Sequence, residues 1–203
     1  MKVVNIRDEF FKNPFGAVKL NTEVTDVASL GADEVIVATG AKANRIPVPG
    51  AGRAIQAVDF LLGQRQVGKN VVIIGGGLTG CEIAYELYLQ GKEPVIVEMK
   101  EDLIAVPGVA LANTSFLRDF FKANNVPVYL ETGVTEIGDF HVTVKDKEGN
   151  TTQLKADDVI LSVGYKPAPL VEKGKHIHVI GDACKVGNLR TVIWQAWDVC
   201  MKL

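Results

Sequence analysis

Short apolar runs recur along the chain and end in glycine or in a charged residue. The clearest run, 71–74, leads into Gly75 and is followed by a helical repeat with Ile83 and Leu87 on one side. A second apolar run, 94–97, follows that helix. Short continuous runs bounded by turn residues are typical of buried strands. The stretch therefore predicts a strand, a tight turn, a helix and a second strand.

Other runs extend this pattern. Further buried strands are predicted at 34–41, 126–131, 158–165 and 176–183. Alternating positions predict a strand at 17–24 and a hairpin formed by 141–144 and 152–154. Helical spacing predicts helices at 54–66, 111–123 and 189–203, the last with one buried face made by Val192, Ile193, Ala196, Trp197 and Cys200. Strands that alternate with helices favour an α/β fold with a parallel sheet, here with a small added β-meander.

The turn after the first run contains the residues Gly75, Gly76, Gly77, Leu78, Thr79 and Gly80. In this pattern the first glycine permits the sharp turn, and the second lets a pyrophosphate approach the backbone. The third lets the helix pack closely on the strand. Free N–H groups at the helix start then face the phosphates. Because a strand precedes the motif and a helix follows it, the six residues predict a dinucleotide-binding turn.

Glu98 ends the second strand, at the position where a carboxylate can accept both hydroxyls of an adenine ribose. A negative charge there repels a 2′-phosphate, so NAD is favoured over NADP. Met99 follows where an arginine would accommodate that phosphate, and Lys100 is the nearby cation. Glu82, placed in the first helical turn, is a favourable charge at a helix start.

Composition limits the possible functions. The chain has 203 residues, of which 47% are hydrophobic and 23% are charged, with a net charge of -2 and a pI near 5.9. It shows no basic surface for nucleic acid, no membrane span and no signal peptide. Its three widely spaced cysteines fit a reducing cytoplasm and predict buried or half-buried thiols rather than a disulfide or metal site.

An internal repeat indicates two related nucleotide-binding units. Residues 18–25 parallel 128–135, and 32–42 parallel 156–166. The first copy has no glycine turn, so we expect the natural protein to be longer and this chain to be a fragment. The predicted domains are a partial first nucleotide-binding unit at 1–66, with a Pro- and Gly-containing linker at 42–52, then a dinucleotide domain at 67–165, then a return segment at 166–203.

The residues at 38–40, 75–98, 162–167 and 180–183 resemble the pyridine nucleotide-disulfide oxidoreductase superfamily, flavoproteins with paired FAD and NAD(P)H domains. Within it, the sequence is similar to the C-terminal part of the NADH:flavin oxidoreductase/2,4-dienoyl-CoA reductase group. In that group an FMN-binding barrel with an iron–sulfur cluster lies upstream, which makes such a barrel the expected partner. A homo-oligomer is left open.

The resemblance implies roles for particular residues. Those implied to bind NADH are Gly75, Gly76, Gly77, Leu78, Thr79, Gly80, Glu82, Glu98 and Gly164. Those implied to bind FAD or to join the two domains are Thr39, Gly40, Gly181, Asp182 and Ala183. Hydride would pass from NADH to FAD and then towards FMN. No side chain is predicted to act as a general acid, base or nucleophile.

Two other classes stay open at this point. One is a disulfide or peroxide reductase of the NADH oxidase type, whose redox cysteines would lie upstream. The other is a non-catalytic nucleotide-binding module. His176 and His178 share a strand face, but without a third ligand they do not predict a metal site. Trp194 and Trp197 are expected to pack the last helix rather than to stack on flavin.

Overall fold

The computed structural model describes residues 19–105 and 110–203, except for the side chain of Asn113. The chain divides into two compact units. The central unit is Gly40–Ala168, and the terminal unit combines the segment ending at Thr39 with Pro169–Leu203. Residues 17 and 18, the first two of the strand predicted at 17–24, lie outside the described residues, as does everything before them.

Twelve strands and four α-helices are present in the described residues. The strands are β1 (Val35–Val37), β2 (Ala41–Ala43), β3 (Ile55–Gln56), β4 (Asn70–Ile74), β5 (Glu93–Val97), β6 (Val128–Tyr129), β7 (Gly133–Ile137), β8 (His141–Lys145), β9 (Thr151–Lys155), β10 (Asp158–Leu161), β11 (Tyr165–Pro167) and β12 (Ile177–Val179). The helices are α1 (Ala57–Leu61), α2 (Leu78–Leu89), α3 (Leu111–Ala123) and α4 (Leu189–Cys200). Short 3₁₀ turns lie at Ala28–Leu30, Ala51–Arg53 and Gly181–Ala183.

The main sheet of the central unit has five parallel strands in the order β3-β10-β4-β5-β6. The first strand of the glycine motif, β4, is therefore central, and the chain runs outwards from it to β5 and β6 before returning to β10. This order is that of a Rossmann-like sheet, whose ligands bind beyond the carboxyl ends of the strands. The predicted α/β class with a parallel sheet is confirmed.

Alternate residues of each central strand enter different cores. Val71, Ile73 and Ile96 pack under α2 and α3 together with Leu87 and Phe121. On the opposite face, the side chains that pack together are those of Val72, Ile74, Val97, Val142, Val144 and Leu161. Both faces of a parallel sheet are covered in this way, which explains why its strands are continuous apolar runs in the sequence.

The second face is covered by a three-stranded antiparallel sheet in the order β7-β8-β9. Its β8–β9 hairpin is the predicted one, in slightly longer strands. The predicted linker at 42–52 is wrong, because β2 pairs antiparallel with β11 and the backbone at Pro49 accepts a hydrogen bond from Ile137 N–H at 2.9 Å. A Cβ on Gly50 would lie 1.8 Å from the carbonyl oxygen of Ile137, so this connection packs tightly on β7.

The terminal unit contains a two-stranded parallel sheet of β1 and β12, followed by α4. No strand forms in the described part of 17–24, where the backbone turns at Asn21 with φ 52°. The one buried face predicted for α4 is also wrong. None of its residues is buried, and Ile193, Trp194 and Trp197 are 64%, 57% and 58% exposed. Val192, which packs at Gly181, and Ala196 one turn later are half-buried, while Ile193 and the two tryptophans stay exposed.

The boundaries of the compact units differ from the predicted domains. Residues 40–66 group with the central unit because β3 pairs with β10 of the main sheet. Among the described residues, no helix is both long and apolar enough to cross a membrane.

Candidate functional site

The glycine turn at the carboxyl end of β4 requires a residue without a side chain. Gly75 has φ 106°, and its N–H donates to the carbonyl oxygen of Val97 at 2.8 Å. A Cβ there would lie 2.4 Å from the carbonyl oxygen of Ser162, which belongs to the segment after β10. The turn thus passes between two neighbouring strand ends, and Gly75 meets both the conformational and the steric demand.

Gly80 brings helix α2 against that turn. A Cβ on Gly80 would lie 2.0 Å from the carbonyl oxygen of Gly75. Because the contact is with backbone, a side chain could be accommodated only by moving the helix away from the strand. The close approach fixes the start of α2 directly over the end of β4, which is the role that the motif predicted for its third glycine.

Gly77 lies at the N-cap of α2 and faces open space. An added Cβ would meet no atom within 4 Å. The first intrahelical hydrogen bond runs from Cys81 N–H to the carbonyl oxygen of Gly77 at 3.0 Å. The backbone N–H groups of Leu78, Thr79 and Gly80 precede it and have no acceptor among the described residues. No acidic side chain lies in the first turn of α2. These donors and the helix dipole together form a cradle for an anionic group.

Glu98 is half-buried beside the same turn. Its Oε2 accepts a hydrogen bond from Gly76 N–H at 2.6 Å, and its Oε1 accepts one from Lys100 N–H at 2.9 Å. Each carboxylate oxygen can accept two hydrogen bonds, so one position on each oxygen is left for ligand hydroxyls. The contact of Glu98 with a ribose diol stays a prediction.

A loop after Glu98 holds the turn from outside, and sequence reasoning missed it. Ile104 N–H donates to the carbonyl oxygen of Gly76 at 2.7 Å, and the Leu103 side chain lies where a Cβ on Gly76 would point. Arg118 of α3 secures this loop. Its Nε and one terminal nitrogen bind both carboxylate oxygens of Asp102 at 3.0 and 2.8 Å, and the same nitrogen contacts the Leu103 carbonyl. No periodic signal connects these positions in the sequence.

The remaining residues predicted for NADH are more peripheral. Glu82 is exposed. The sequence predicts it in the first turn of α2, but it lies just beyond that turn. Gly164 is exposed with φ 79°, and its carbonyl oxygen accepts a hydrogen bond from Asn44 N–H at 2.9 Å. The Asn44 side chain also donates to the carbonyl oxygen of Val163 at 3.2 Å. Asn44 therefore fixes the backbone after β10, a role that the sequence did not reveal.

The residues predicted for FAD lie in the terminal unit, apart from Gly40. Gly181 has φ 63°, and its N–H donates to Gln195 Oε1 at 2.7 Å. Asp182 Oδ1 accepts a hydrogen bond from Gly187 N–H at 3.0 Å, while Ala183 is buried. Thr39 is the last residue of the terminal unit before the chain enters the central unit, and it is exposed. Gly40 begins the central unit and has φ 80°.

All three cysteines are free, and they differ in environment. Cys81 is fully buried, and its thiol donates to the carbonyl oxygen of Gly76 at 3.4 Å. Burial, helped by the charge of Glu98, raises the pKa of the Cys81 thiol to about 12. Cys184 and Cys200 are exposed, so the prediction that all three would be buried or half-buried is wrong for these two.

The two histidines of the terminal unit contact a carboxylate. His176 Nδ1 lies 2.9 Å from Glu34 Oε1, and His178 Nε2 lies 2.8 Å from Glu34 Oε2. Hydrogen bonds from the two histidines lower the pKa of Glu34, and the bond from His176 has the larger effect. Across the described ranges, no group of three or more His, Cys, Asp or Glu side chains is arranged to hold a metal ion.

The strand order, the glycine cradle and the carboxylate at the end of β5 define a pyridine nucleotide-binding α/β protein. Comparison with known families agrees. Residues 6–191 match the family described as pyridine nucleotide-disulphide oxidoreductase, and the chain belongs to it. Membership of this oxidoreductase family implies binding of NAD(H) and FAD, as the sequence predicted.

Among characterised proteins, the chain is similar to a cinnamate reductase of Clostridium sporogenes, with 35% identity over 92% of this chain and 29% of that protein. It is also similar to an NADH oxidase of Thermoanaerobacter brockii, with 32% identity over 91% of this chain and 30% of that protein. The structure of a 2-naphthoyl-CoA reductase complex matches with a TM-score of 0.78 and 26% identity, over 91% of this chain and 29% of that one. The chain thus spans less than a third of the length of these relatives.

Proposed function

We propose that the central unit binds NADH, with its pyrophosphate on the N-terminus of α2 and its adenine ribose on Glu98. The observation that carries this proposal is the open space at Gly77 beside three N–H groups that have no acceptor in the described part of the chain. The two carboxylate oxygens of Glu98 face the same turn through their bonds to Gly76 and Lys100. A negative charge at this place favours NADH over NADPH, since it would repel a 2′-phosphate.

We propose in addition that the terminal unit supplies part of an FAD site. Gly181 takes a left-handed conformation with φ 63°, and one oxygen of Asp182 has no partner among the described residues. The free oxygen of Asp182 fits the ribityl chain of FAD, whose hydroxyl groups would donate hydrogen bonds to it. When both cofactors are bound, they supply hydride transfer from nicotinamide to flavin, while the protein binds and orients them.

The whole protein is proposed to be a flavin-dependent NADH-linked reductase of the enoate or dienoyl-CoA reductase type. Relatives named for cinnamate and for 2-naphthoyl-CoA, and the share of their length that this chain matches, support this. In such a protein an upstream FMN and iron–sulfur barrel would receive the electrons and determine the final acceptor. The exposed apolar side of α4 supports a further segment of polypeptide packing on the terminal unit.

The test uses the purified chain. NADH and NADPH are titrated separately by calorimetry, and the visible spectrum is recorded after incubation with FAD and desalting. We expect saturable NADH binding, with NADPH at least about tenfold weaker, as a lost or repelled charge contact of about 1.4 kcal/mol would give. Absence of NADH binding, or equal affinity for the two nucleotides, would contradict the assignment of Gly77 and Glu98. A flavin band that survives desalting would support the FAD proposal, and its absence would count against it.

A further inference from the structure

A cavity of about 430 Å³ opens in the central unit at the amino ends of the main-sheet strands. It is lined by the first residues of β4 and β5, by Pro127 just before β6, and by the end of β9. The glycine turn lies at the opposite, carboxyl ends of the same strands. A five-residue strand separates the two ends by roughly 13 Å, and neither the glycine turn nor Glu98 lines the cavity; of its lining residues Tyr129, which pairs with Val97, lies nearest to Glu98. Its volume is in the range of small-molecule sites.

The walls of the cavity are mostly flat and apolar. Pro94 and Pro127 lie at the starts of adjacent strands, and Tyr88, Tyr129 and Leu154 surround them. The aromatic wall is fixed rather than free to collapse. Tyr88 hydroxyl donates to Asn124 Oδ1 at 3.1 Å, and Asn124 Nδ2 donates to the carbonyl oxygen of Phe120 at 2.8 Å. Rings and prolines held in this way offer a surface to a flat apolar group.

Hydrogen-bonding groups at the cavity fall into two sets. Asn70, Glu93 and Asn124 have protein partners: Asp157 at 2.8 Å, Lys69 at 2.7 Å, and Tyr88 with Phe120. Lys92 Nζ donates to the carbonyl oxygens of Val67 and Gly68 at 2.6 and 3.0 Å, which leaves one of its three N–H bonds.

The second set makes no side-chain hydrogen bond among the described residues, and of its members Lys155 is close enough to Asp157 for its charge to add to the Asn70 hydrogen bonds that lower the pKa of that carboxyl group. It consists of the side chains of Asn125, Tyr129, Gln153 and Lys155. The nearby acid Asp157 already accepts from the backbone N–H groups of Lys69 and Asn70 and from the Asn70 amide. The groups left over are therefore rich in donors, with the ammonium of Lys155 as the charged one, and they suit an anionic acceptor.

We propose that this cavity is a second binding site, separate from the dinucleotide site, for a small aromatic carboxylate. The ring would lie against Pro94, Pro127 and Tyr129, and the carboxylate would accept hydrogen bonds from Lys155 and from the remaining N–H of Lys92. This cavity contacts the amino ends of the main-sheet strands and the carboxyl ends of α2 and α3. The glycine turn and the loop that supports it lie at the other ends of these elements.

The test uses three probes with one ring system and different charges: indole-3-propionate, tryptophol and tryptamine. Each is titrated into the isotope-labelled chain while backbone amide chemical shifts are followed by NMR. We expect saturable amide shifts at residues 92–95, 124–129 and 153–155, apart from Pro94 and Pro127, which have no amide N–H. Indole-3-propionate should bind tightest and tryptamine weakest. Lys155→Gln should weaken indole-3-propionate about five- to tenfold and leave tryptophol unchanged. Lys145→Gln, on the same three-stranded sheet but outside the cavity, is the matched control.

Saturating NADH should leave the indole-3-propionate affinity within about twofold, because the sites lie at opposite strand ends. The proposal is overturned by equal affinity of the three probes, by shifts confined to α4 and its exposed tryptophans, or by displacement of indole-3-propionate by NADH. Loss of affinity on Lys145→Gln equal to that on Lys155→Gln would also overturn it. Failure of the chain to bind NADH would contradict the proposed function and would not affect this result.

Discussion

The carboxylate of Glu98 and the backbone N–H of Gly76 are joined by a hydrogen bond of 2.6 Å. Gly76 follows β4 and Glu98 follows β5, so the bond ties together two adjacent strand ends. Gly76 also accepts a hydrogen bond from Ile104 N–H. The residue proposed to recognise the ribose therefore also holds the turn that receives the pyrophosphate, and the two parts of the NADH site are structurally coupled.

Replacing Glu98 should affect NADH more than replacing Glu82. Glu98→Ala removes the ribose acceptor and the bond to Gly76, for which we expect about tenfold or greater loss of NADH affinity. Glu82→Ala, on an exposed position of α2, should change it less than about twofold. Calorimetric titration of both variants measures the difference. Similar losses for the two would show that Glu98 does not bind the ribose.

Substitutions at two glycines of the motif should affect NADH binding and the stability of the fold differently. Gly80→Ala places a methyl group against the Gly75 carbonyl oxygen and should lower the free energy of unfolding by about 1–3 kcal/mol. Gly77→Ala meets open space at φ -68° and should change it by less than about 1 kcal/mol. The methyl group introduced by Gly77→Ala would occupy the cradle, so this variant should lose NADH affinity although it is the more stable of the two. Denaturant unfolding with NADH titration checks both, and unchanged NADH affinity in Gly77→Ala would contradict the cradle.

Arg118 should act on NADH binding by holding the loop against the glycine turn. Arg118→Leu removes the paired contact with Asp102 and the contact with Leu103, and we expect a roughly threefold to tenfold loss of NADH affinity, on the order of 1 kcal/mol. Lys122→Leu, on the same helix, removes the same charge without that contact and should leave the affinity unchanged. Equal effects would indicate that net charge, rather than loop position, determines the difference.

The sequence predicted those parts of the fold that depend on local chemistry. The runs that became β4, β5 and β10 are apolar on both sides because both faces of the sheet are covered. The glycines at 75 and 80 are recognisable because a side chain at either position would meet backbone, whereas Gly77 borders the open space over the start of α2. Helix α3 was predicted with its observed bounds from its apolar spacing.

What the sequence did not reveal depends on contacts between distant residues. Asp102 and Arg118 carry no motif, and their pairing follows from the packing of α3. The segment at 42–52 has the composition of a linker, yet tertiary contacts with β7 and β11 order it. Periodicity in α4 correctly predicted a helix but not its environment, since an apolar stripe shows that a helix can pack and not what it packs against.

Glu34 should make the stability of the terminal unit sensitive to acid. Its pKa lies below the ordinary value of 4.5 because of hydrogen bonds with His176 and then His178. A lowered pKa means that the carboxylate stabilises the fold above about pH 4.5 and that this contribution is lost as the pH falls through the folded-state pKa. Glu34→Gln should therefore be less stable than the natural chain at pH 6, and the difference should shrink as the pH falls below 4.5 towards the lowered folded-state pKa.

Denaturant unfolding at pH 6, 5 and 3.5 measures this difference. Asp33→Asn is the matched control, because it removes a charge at the neighbouring position without a histidine contact in the described residues. A stability difference between Glu34→Gln and the natural chain that stays constant across the three pH values would contradict the role of the carboxylate.

The reactivity of the buried Cys81 thiol should show whether this cysteine has a structural or a redox role. Only a thiolate attacks a disulfide reagent, and a pKa of about 12 leaves about one part in ten thousand of Cys81 ionised at pH 8. Cys81 is also inaccessible beneath the glycine turn, while Cys184 and Cys200 are exposed. We expect 5,5′-dithiobis(2-nitrobenzoate) to titrate two thiols rapidly in the folded chain and the third only in guanidinium. The variants Cys184→Ser and Cys200→Ser should each remove one rapid thiol. A rapid thiol in the folded variant that combines Cys184→Ser with Cys200→Ser, in which Cys81 is the one cysteine left, would show that Cys81 is reachable and would favour a redox role beside the NADH site over a packing role.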